Sequence, residues 1–231
     1  MSVSVGYCHS LALTADGAVW SWGGGDFGNL GHGDQQDQWQ PKKVEALAGR
    51  RVVAVSAGAG HSLAITADGA VWGWGRGGFG KLGHGDEQRQ LLPKKAAAFA
   101  GQRVVAVSAG VGHSVARTAE GAVWSWGRGC FGELGHGDQQ EQLLPKKVEA
   151  FADQRTGAGA PGYVHAVALT ADGAVWSWGW GHYGQLGHGD GQDQLLPKKG
   201  EAVARQRVVA GSPGSPHRFA STAGGAGRSR G

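Results

Sequence analysis

The stretch from His9 to Gly23, HSLALTADGAVWSWG, returns from His61, His113 and His165, each copy 52 residues after the one before. A repeat of this period describes a stacked array, in which each unit buries its apolar surface against its neighbours. That constraint comes before any assignment of single segments. A fifth, decayed copy begins at His217.

Within one copy, two short apolar runs flank Ala15-Asp16-Gly17, and Asp-Gly supplies the positive φ angles that tight hairpin turns require. The turn recurs as Asp68-Gly69 and Asp172-Gly173, while Glu120-Gly121 in the third copy keeps the glycine and reads as a tolerated variant. A full unit adds an apolar run ahead of the hairpin (Val52 to Gly58) and a Pro-Lys-Lys segment behind it (Pro93 to Phe99), which gives four short strands. Four-stranded meanders repeated at this spacing are propeller blades. The first strand, apolar on both faces, is expected innermost; the last, with Pro and a lysine pair, suits an outer edge.

Four segments, Gly-x-x-His-Ser-Leu-Ala-Leu-Thr, Asp-Gly-Ala-Val-Trp-Ser-Trp-Gly, Phe-Gly-x-Leu-Gly-His-Gly-Asp and Leu-Pro-Lys-Lys, resemble the regulator-of-chromosome-condensation repeat family over nearly the whole chain. The resemblance implies a seven-bladed propeller, in a family that includes a nuclear exchange factor for a small GTPase, the plant UV-B photoreceptor and recognition domains of ubiquitin ligases. It does not fix the function. In the photoreceptor the chromophore tryptophans follow the glycine of Gly-x-x-His. Tyr7-Cys8, Ala59-Gly60, Val111-Gly112 and Tyr163-Val164 stand there in this chain, which argues against light sensing by that route.

The expected fold is therefore an all-β, propeller-type array of four-stranded blades, incomplete, forming an open arc of about four blades and a fragment. Blades are expected at approximately 1–50, 51–102, 103–154 and 155–206, with a partial one at 207–222 and a disordered tail at 223–231. Blade four reads Thr156-Gly157-Ala158-Gly159-Ala160 where Val104 to Ser108 stood, so its inner strand is expected to be missing or irregular. In the fifth unit, short strands are expected at Val208 to Ala210 and Arg218 to Thr222, and Arg228-Ser229-Arg230 replaces a tryptophan pair.

Composition narrows the function. No window approaches the ~18 apolar residues of a membrane span, and the first residues lack the blocks of a signal peptide, so a cytoplasmic or nuclear location without membrane contact is expected. Two cysteines, Cys8 and Cys130, lie at different phases of the repeat and read as unpaired thiols. No nucleophile elbow or phosphate-binding loop occurs, and the sequence reads as non-enzymatic, with no cofactor. His32, His84, His136 and His188, each in His-Gly-Asp, would stand too far apart around an arc to share a metal; they read as turns with the aspartate capping backbone amides.

Repetition marks His9, His61, His113 and His165 as structural, together with the pairs Trp20/Trp22, Trp72/Trp74, Trp124/Trp126 and Trp176/Trp178. The lysine pairs at 42/43, 94/95, 146/147 and 198/199 form a basic belt, blunted by acidic loops before them, that favours edge protection over nucleic-acid binding without excluding the latter. Partner recognition is best sought where copies differ. Those positions give Arg76, Arg128, Trp180 and His182 after the Trp-Gly, and Lys81 and Glu133 one turn later. The expected function is a protein-interaction scaffold using a loop face. The alternatives are a guanine nucleotide exchange factor for a small GTPase, although no insertion in the repeat frame offers a wedge, or a substrate-recognition fragment in the ubiquitin pathway.

Overall fold

The structure is a computed structural model, and it describes residues 1–96, 99, 101–151, 154–201, 208–213 and 218–222. Four antiparallel meanders follow one another along the chain. The first sheet is β1 (Ser2–Val5), β2 (His9–Leu13), β3 (Val19–Gly23) and β4 (Gln38–Lys43), and the second is β5 (Val52–Ala57), β6 (His61–Thr66), β7 (Val71–Gly75) and β8 (Gln90–Lys95). The third is β9 (Val104–Ala109), β10 (His113–Thr118), β11 (Val123–Gly127) and β12 (Gln142–Lys147). The fourth is β13 (Thr156–Pro161), β14 (His165–Thr170), β15 (Val175–Gly179) and β16 (Gln194–Lys199), followed by a hairpin of β17 (Val208–Pro213) and β18 (Arg218–Thr222). The fold is all-β, and the sheets stand as the blades of an open arc.

The turns form as the sequence requires: Gly17, Gly69, Gly121 and Gly173 all have φ between 83° and 91°. Glu120 in the third turn leaves that geometry unchanged. The first strands of successive sheets touch one another, β1 to β5, β5 to β9, β9 to β13 and β13 to β17, which places them inside the arc. The lysine-bearing fourth strands lie outside, where Lys94 pairs with Asp86 at 3.8 Å and Lys198 with Asp190 at 3.9 Å. In each His-Gly-Asp turn the aspartate accepts from the amide two residues on, as in Asp86 Oδ1 to Gln88 N at 2.9 Å.

The apolar core is distributed over the joints between sheets. Leu11, Leu13 and Val19 of the first sheet pack with Val52, Ala64 and Trp74 of the second. Leu63, Ile65, Val71 and Phe99 pack with Val104, Ala116 and Trp126 at the next joint, and Val115, Val123 and Phe151 with Ala168 and Trp178 at the third. Trp74, Trp126 and Trp178 are 0% exposed, whereas Trp22 of the first sheet is half-buried. Burying such indoles at every joint is the main apolar contribution to the stack. Trp20, Trp72, Trp124 and Trp176 are half-buried; Trp124 meets Phe99 edge-on at 5.9 Å, Trp176 meets Phe151 at 5.6 Å, and Arg50 covers Trp72 at 4.4 Å.

One expectation is corrected. The inner strand of the fourth sheet is present: β13 pairs with β14 in the register Thr156↔Thr170, Ala158↔Leu169 and Gly159↔Ala168. Its single register shift falls where the second sheet also shifts, at Val52/Ala54. A ladder is made by backbone groups, and an intact β14 offers β13 the same partners that β6 offers β5. The Thr156 hydroxyl adds a bond to Gly121 O at 2.7 Å. The loss of valines thus removes packing without removing the strand. Strands also form at the fifth unit, longer than expected in β17; the tail from Ala223 to Gly231 lies outside the described residues.

Candidate functional site

The loops that follow the third strands lie along one end of the sheets. Each is docked on the Gly-x-x-His loop of its own sheet: Arg76 N donates to Gly60 O at 2.8 Å, Arg128 N to Gly112 O at 3.0 Å and Trp180 N to Val164 O at 3.0 Å. The equivalent residue of the first sheet is Gly24, which has no side chain to offer. The other three reach back across a joint. The Arg76 guanidinium lies 5.2 Å from the Phe27 ring, that of Arg128 lies 5.8 Å from Phe79 and 5.1 Å from Phe131, and the Trp180 ring lies 6.0 Å from Phe131. A guanidinium over a ring keeps its orientation while its edge stays open. His182 and Tyr183 extend the row, 5.5 and 5.0 Å from Trp180.

Lys81 and Glu133 are not on this face. They are 3% and 0% exposed and belong to the joints. Their main-chain carbonyls, with that of Asn29, accept the indole N–H of the next sheet: Trp74 to Asn29 O at 2.9 Å, Trp126 to Lys81 O at 2.8 Å and Trp178 to Glu133 O at 3.0 Å. This corrects the expectation that both side chains meet a partner; the repeat varies here because the backbone does the joining. The side chains of Asn29, Glu133 and Gln185 accept from the amide two residues earlier, as in Phe131 N to Glu133 Oε2 at 2.8 Å. A lysine cannot accept. Phe79 N turns instead to Glu87 Oε2 at 2.9 Å, and Phe79 takes a φ of 66°.

Burial controls the titration of both groups. It lowers Lys81 to about 8, helped by the nearby Arg76 charge, and it raises the Glu133 carboxyl above its ordinary range. Arg128 Nε stands 3.9 Å from Glu133 Oε1 and 2.9 Å from Cys130 Sγ.

The histidines of Gly-x-x-His also work at the joints. His9 Nε2 lies 2.9 Å from Ser62 Oγ, and Ser62 Oγ donates to Asn29 O at 2.8 Å; His61, Ser114 and Lys81 O repeat the arrangement. The serine proton goes to the carbonyl, so each imidazole donates from Nε2; its Nδ1 is buried without a partner and burial disfavours the charged ring, so it is neutral. Burial holds His9 at about 4 and His113 at about 3. In the His-Gly-Asp turns, His32, His136 and His188 are each 3.0 Å from a strand serine, and His84 turns to Gly73 O where the serine is missing.

The sequence named Arg76, Arg128, Trp180 and His182, which lie together along this row, but not Phe27, Phe79, Phe131 and Tyr183, which lie against or beside them. The signal was the recurring Phe-Gly, whose constancy hid the use the neighbouring blade makes of the ring.

A family profile described as the RCC1-like domain matches residues 1–231. The ultraviolet-B receptor UVR8 of Arabidopsis thaliana is 40% identical over 226 residues, which are 97% of this chain and 51% of the receptor. The E3 ubiquitin-protein ligase HERC2 of Homo sapiens is 39% identical over 94% of this chain and 4% of the ligase. Human WBSCR16 superposes with a TM-score of 0.83 at 29% identity, covering 93% of this chain and 55% of that one. Prp20p of Saccharomyces cerevisiae, whose structure was described with its binding to Gsp1p and histones, superposes at 0.82 with 24% identity, a likeness of fold. The chain spans about half the length of the receptor and a small part of the ligase.

Proposed function

The chain belongs to the RCC1-like domain family, and on that premise we propose that it is a non-catalytic protein-interaction scaffold whose loop face takes the partner. The observation that carries this reading is the placement of Arg76, Arg128 and Trp180, the two guanidinium groups over, and the indole tilted against, a phenylalanine of the preceding sheet. These are the positions where the copies differ, and Arg, Trp and Tyr are the residues that dominate interface energetics. His182 sits beside them with most of its side chain exposed.

The likeness to HERC2 supports a narrower form, a substrate-recognition fragment in the ubiquitin pathway; the other narrow form is a guanine nucleotide exchange factor for a small GTPase. No helix among the described residues is long and apolar enough to cross a membrane, and the reading places the scaffold in the cytoplasm or nucleus.

The test is photocrosslinking from residues 76, 128 and 182, with residue 94 on the outer edge as the comparison. The reading expects one protein adduct common to the three loop positions and absent from position 94. Adducts from position 94 alone would move the interface to the rim. A nucleotide-release assay with a small GTPase separates exchange from binding.

A further inference from the structure

We propose that the loop face takes an acidic, extended partner segment with an aromatic or aliphatic residue at the end lying over the fourth sheet. The proposal rests on the loop-face reading above and adds the partner's chemistry. It follows from how charge is used along the face.

The carboxylates there are engaged by the protein's own backbone. Asp37 Oδ1 accepts from Gly25 N at 2.9 Å, Glu87 Oε2 from Phe79 N at 2.9 Å and Asp193 Oδ1 from Gly181 N at 2.8 Å. Asp26, at the first-sheet end, and Glu141, in the third-sheet loop at the repeat position of Asp37 and Asp193, are exposed acids outside this pattern, and it is the Asp26 carbonyl that accepts from Gln35 and Arg89. The guanidinium groups are treated differently. Arg76 is exposed, stacks on Phe27, and has no hydrogen-bond acceptor among the described residues. Arg89 lies over the same ring at 5.8 Å, and Arg128 commits its Nε while its terminal amino groups have no acceptor among the described residues. A ring against one side of a guanidinium leaves the planar edge free, and that edge matches a carboxylate bidentately.

The face changes character along its length. Cations stand over the second and third sheets. Over the fourth, Trp180, His182 and Tyr183 form a cluster, with Tyr183 75% exposed. Large rings open to solvent beside fixed cations suit one apolar anchor next to a run of acids. A long polyanion such as nucleic acid fits less well, because the acids of the rim (Asp86 and Asp190 among them) meet the lysine belt and blunt its field.

The experiment is selection from a random displayed-peptide library on the whole chain. Recovered peptides are then titrated against wild type, Arg76→Gln/Arg128→Gln, Arg76→Lys/Arg128→Lys and Trp180→Ala, with a short oligothymidine as competitor. Arg76 is exposed while Arg128 and Trp180 are half-buried, so melts matching wild type are required before affinities are compared. The proposal expects peptides rich in Asp and Glu beside an aromatic or aliphatic residue, losing about tenfold or more with the glutamine pair, less with the lysine pair, and about tenfold with Trp180→Ala. Acid-poor peptides that depend on Trp180 would overturn the acidic chemistry and leave the loop face standing. Peptides indifferent to every change would overturn both readings. Displacement by oligothymidine, or recovery of no peptide, would overturn the proposal.

Discussion

His61 Nε2 stands 3.0 Å from Ser114 Oγ across the joint between the second and third sheets, and one joint later His113 faces Ala166, with neither ring nitrogen bonded. The repeat is broken there by the loss of one hydroxyl. The same joint holds Arg117 where the other sheets have Leu13, Ile65 and Leu169; its Nη1 reaches Thr156 O at 3.5 Å and its buried Nε has no partner. The third joint is accordingly the least well satisfied of the three.

Restoring the hydroxyl should strengthen it. Ala166→Ser supplies an acceptor for His113 and a donor for Glu133 O, and it should add about 1 kcal/mol, raising Tm by about 2–4 °C. Ser114→Ala should do the opposite, costing about 1–3 kcal/mol by leaving His61 unpaired in a buried site. Thermal melts of the two variants check the pair; no separation between them would remove the joint from the stability account.

The indole network gives a graded expectation. Trp126→Ala removes a fully buried ring and its bond to Lys81 O, and it should cost about 3–5 kcal/mol. Trp22→Ala, half-buried at the end of the arc, should cost clearly less. Denaturant titration of both, with unchanged slopes, measures the difference.

How much of this was legible in the sequence depends on which atoms do the joining. The hairpins were readable because Asp16-Gly17 and its copies must take positive φ, and the outer strands because Pro93-Lys94-Lys95 cannot sit in a sheet interior. Lys81 and Glu133 were misread as surface residues because variation at a repeated position looks like exposure. Their carbonyls carry the bond that recurs at each joint, and a carbonyl leaves no trace in side-chain identity. β13 was misread because Thr156-Gly157 lowers strand propensity, while the ladder is supplied by β14. The stacking of Arg76 on Phe27 joins residues in different copies, a relation that periodicity alone does not order.

Acid should unfold the stack early. Burial lowers His9 to about 4 and His113 to about 3, against ~6.5 for an unfolded imidazole, so between those values the unfolded chain binds protons that the native chain refuses. Stability therefore falls as pH drops below ~6.5 and continues to fall to the folded values. Melting temperatures across that window check it; a flat profile would contradict neutral joint histidines.

Lys81 gives the alkaline counterpart. Its folded value of about 8 lies below the ordinary ~10.4, so the unfolded chain binds more protons in that window and stability contributed by this group rises with pH through it. Lys81→Gln should remove that rise, and by offering an amide oxygen to Phe79 N, as Gln185 does to Tyr183 N, it should raise Tm at neutral pH. Paired melts at neutral and alkaline pH read both effects.

The central claim is that partner binding lives in the side chains along the loop row and stability in the tryptophans of the joints. The direct measurement is a paired titration and melt of Arg76→Gln/Arg128→Gln beside Trp126→Ala, using one peptide recovered by selection on wild type. The account predicts that the arginine variant melts with wild type and loses about tenfold or more in affinity, while Trp126→Ala loses stability and binding together. An arginine variant that binds as wild type does, or one that loses binding only because it unfolds, would contradict it.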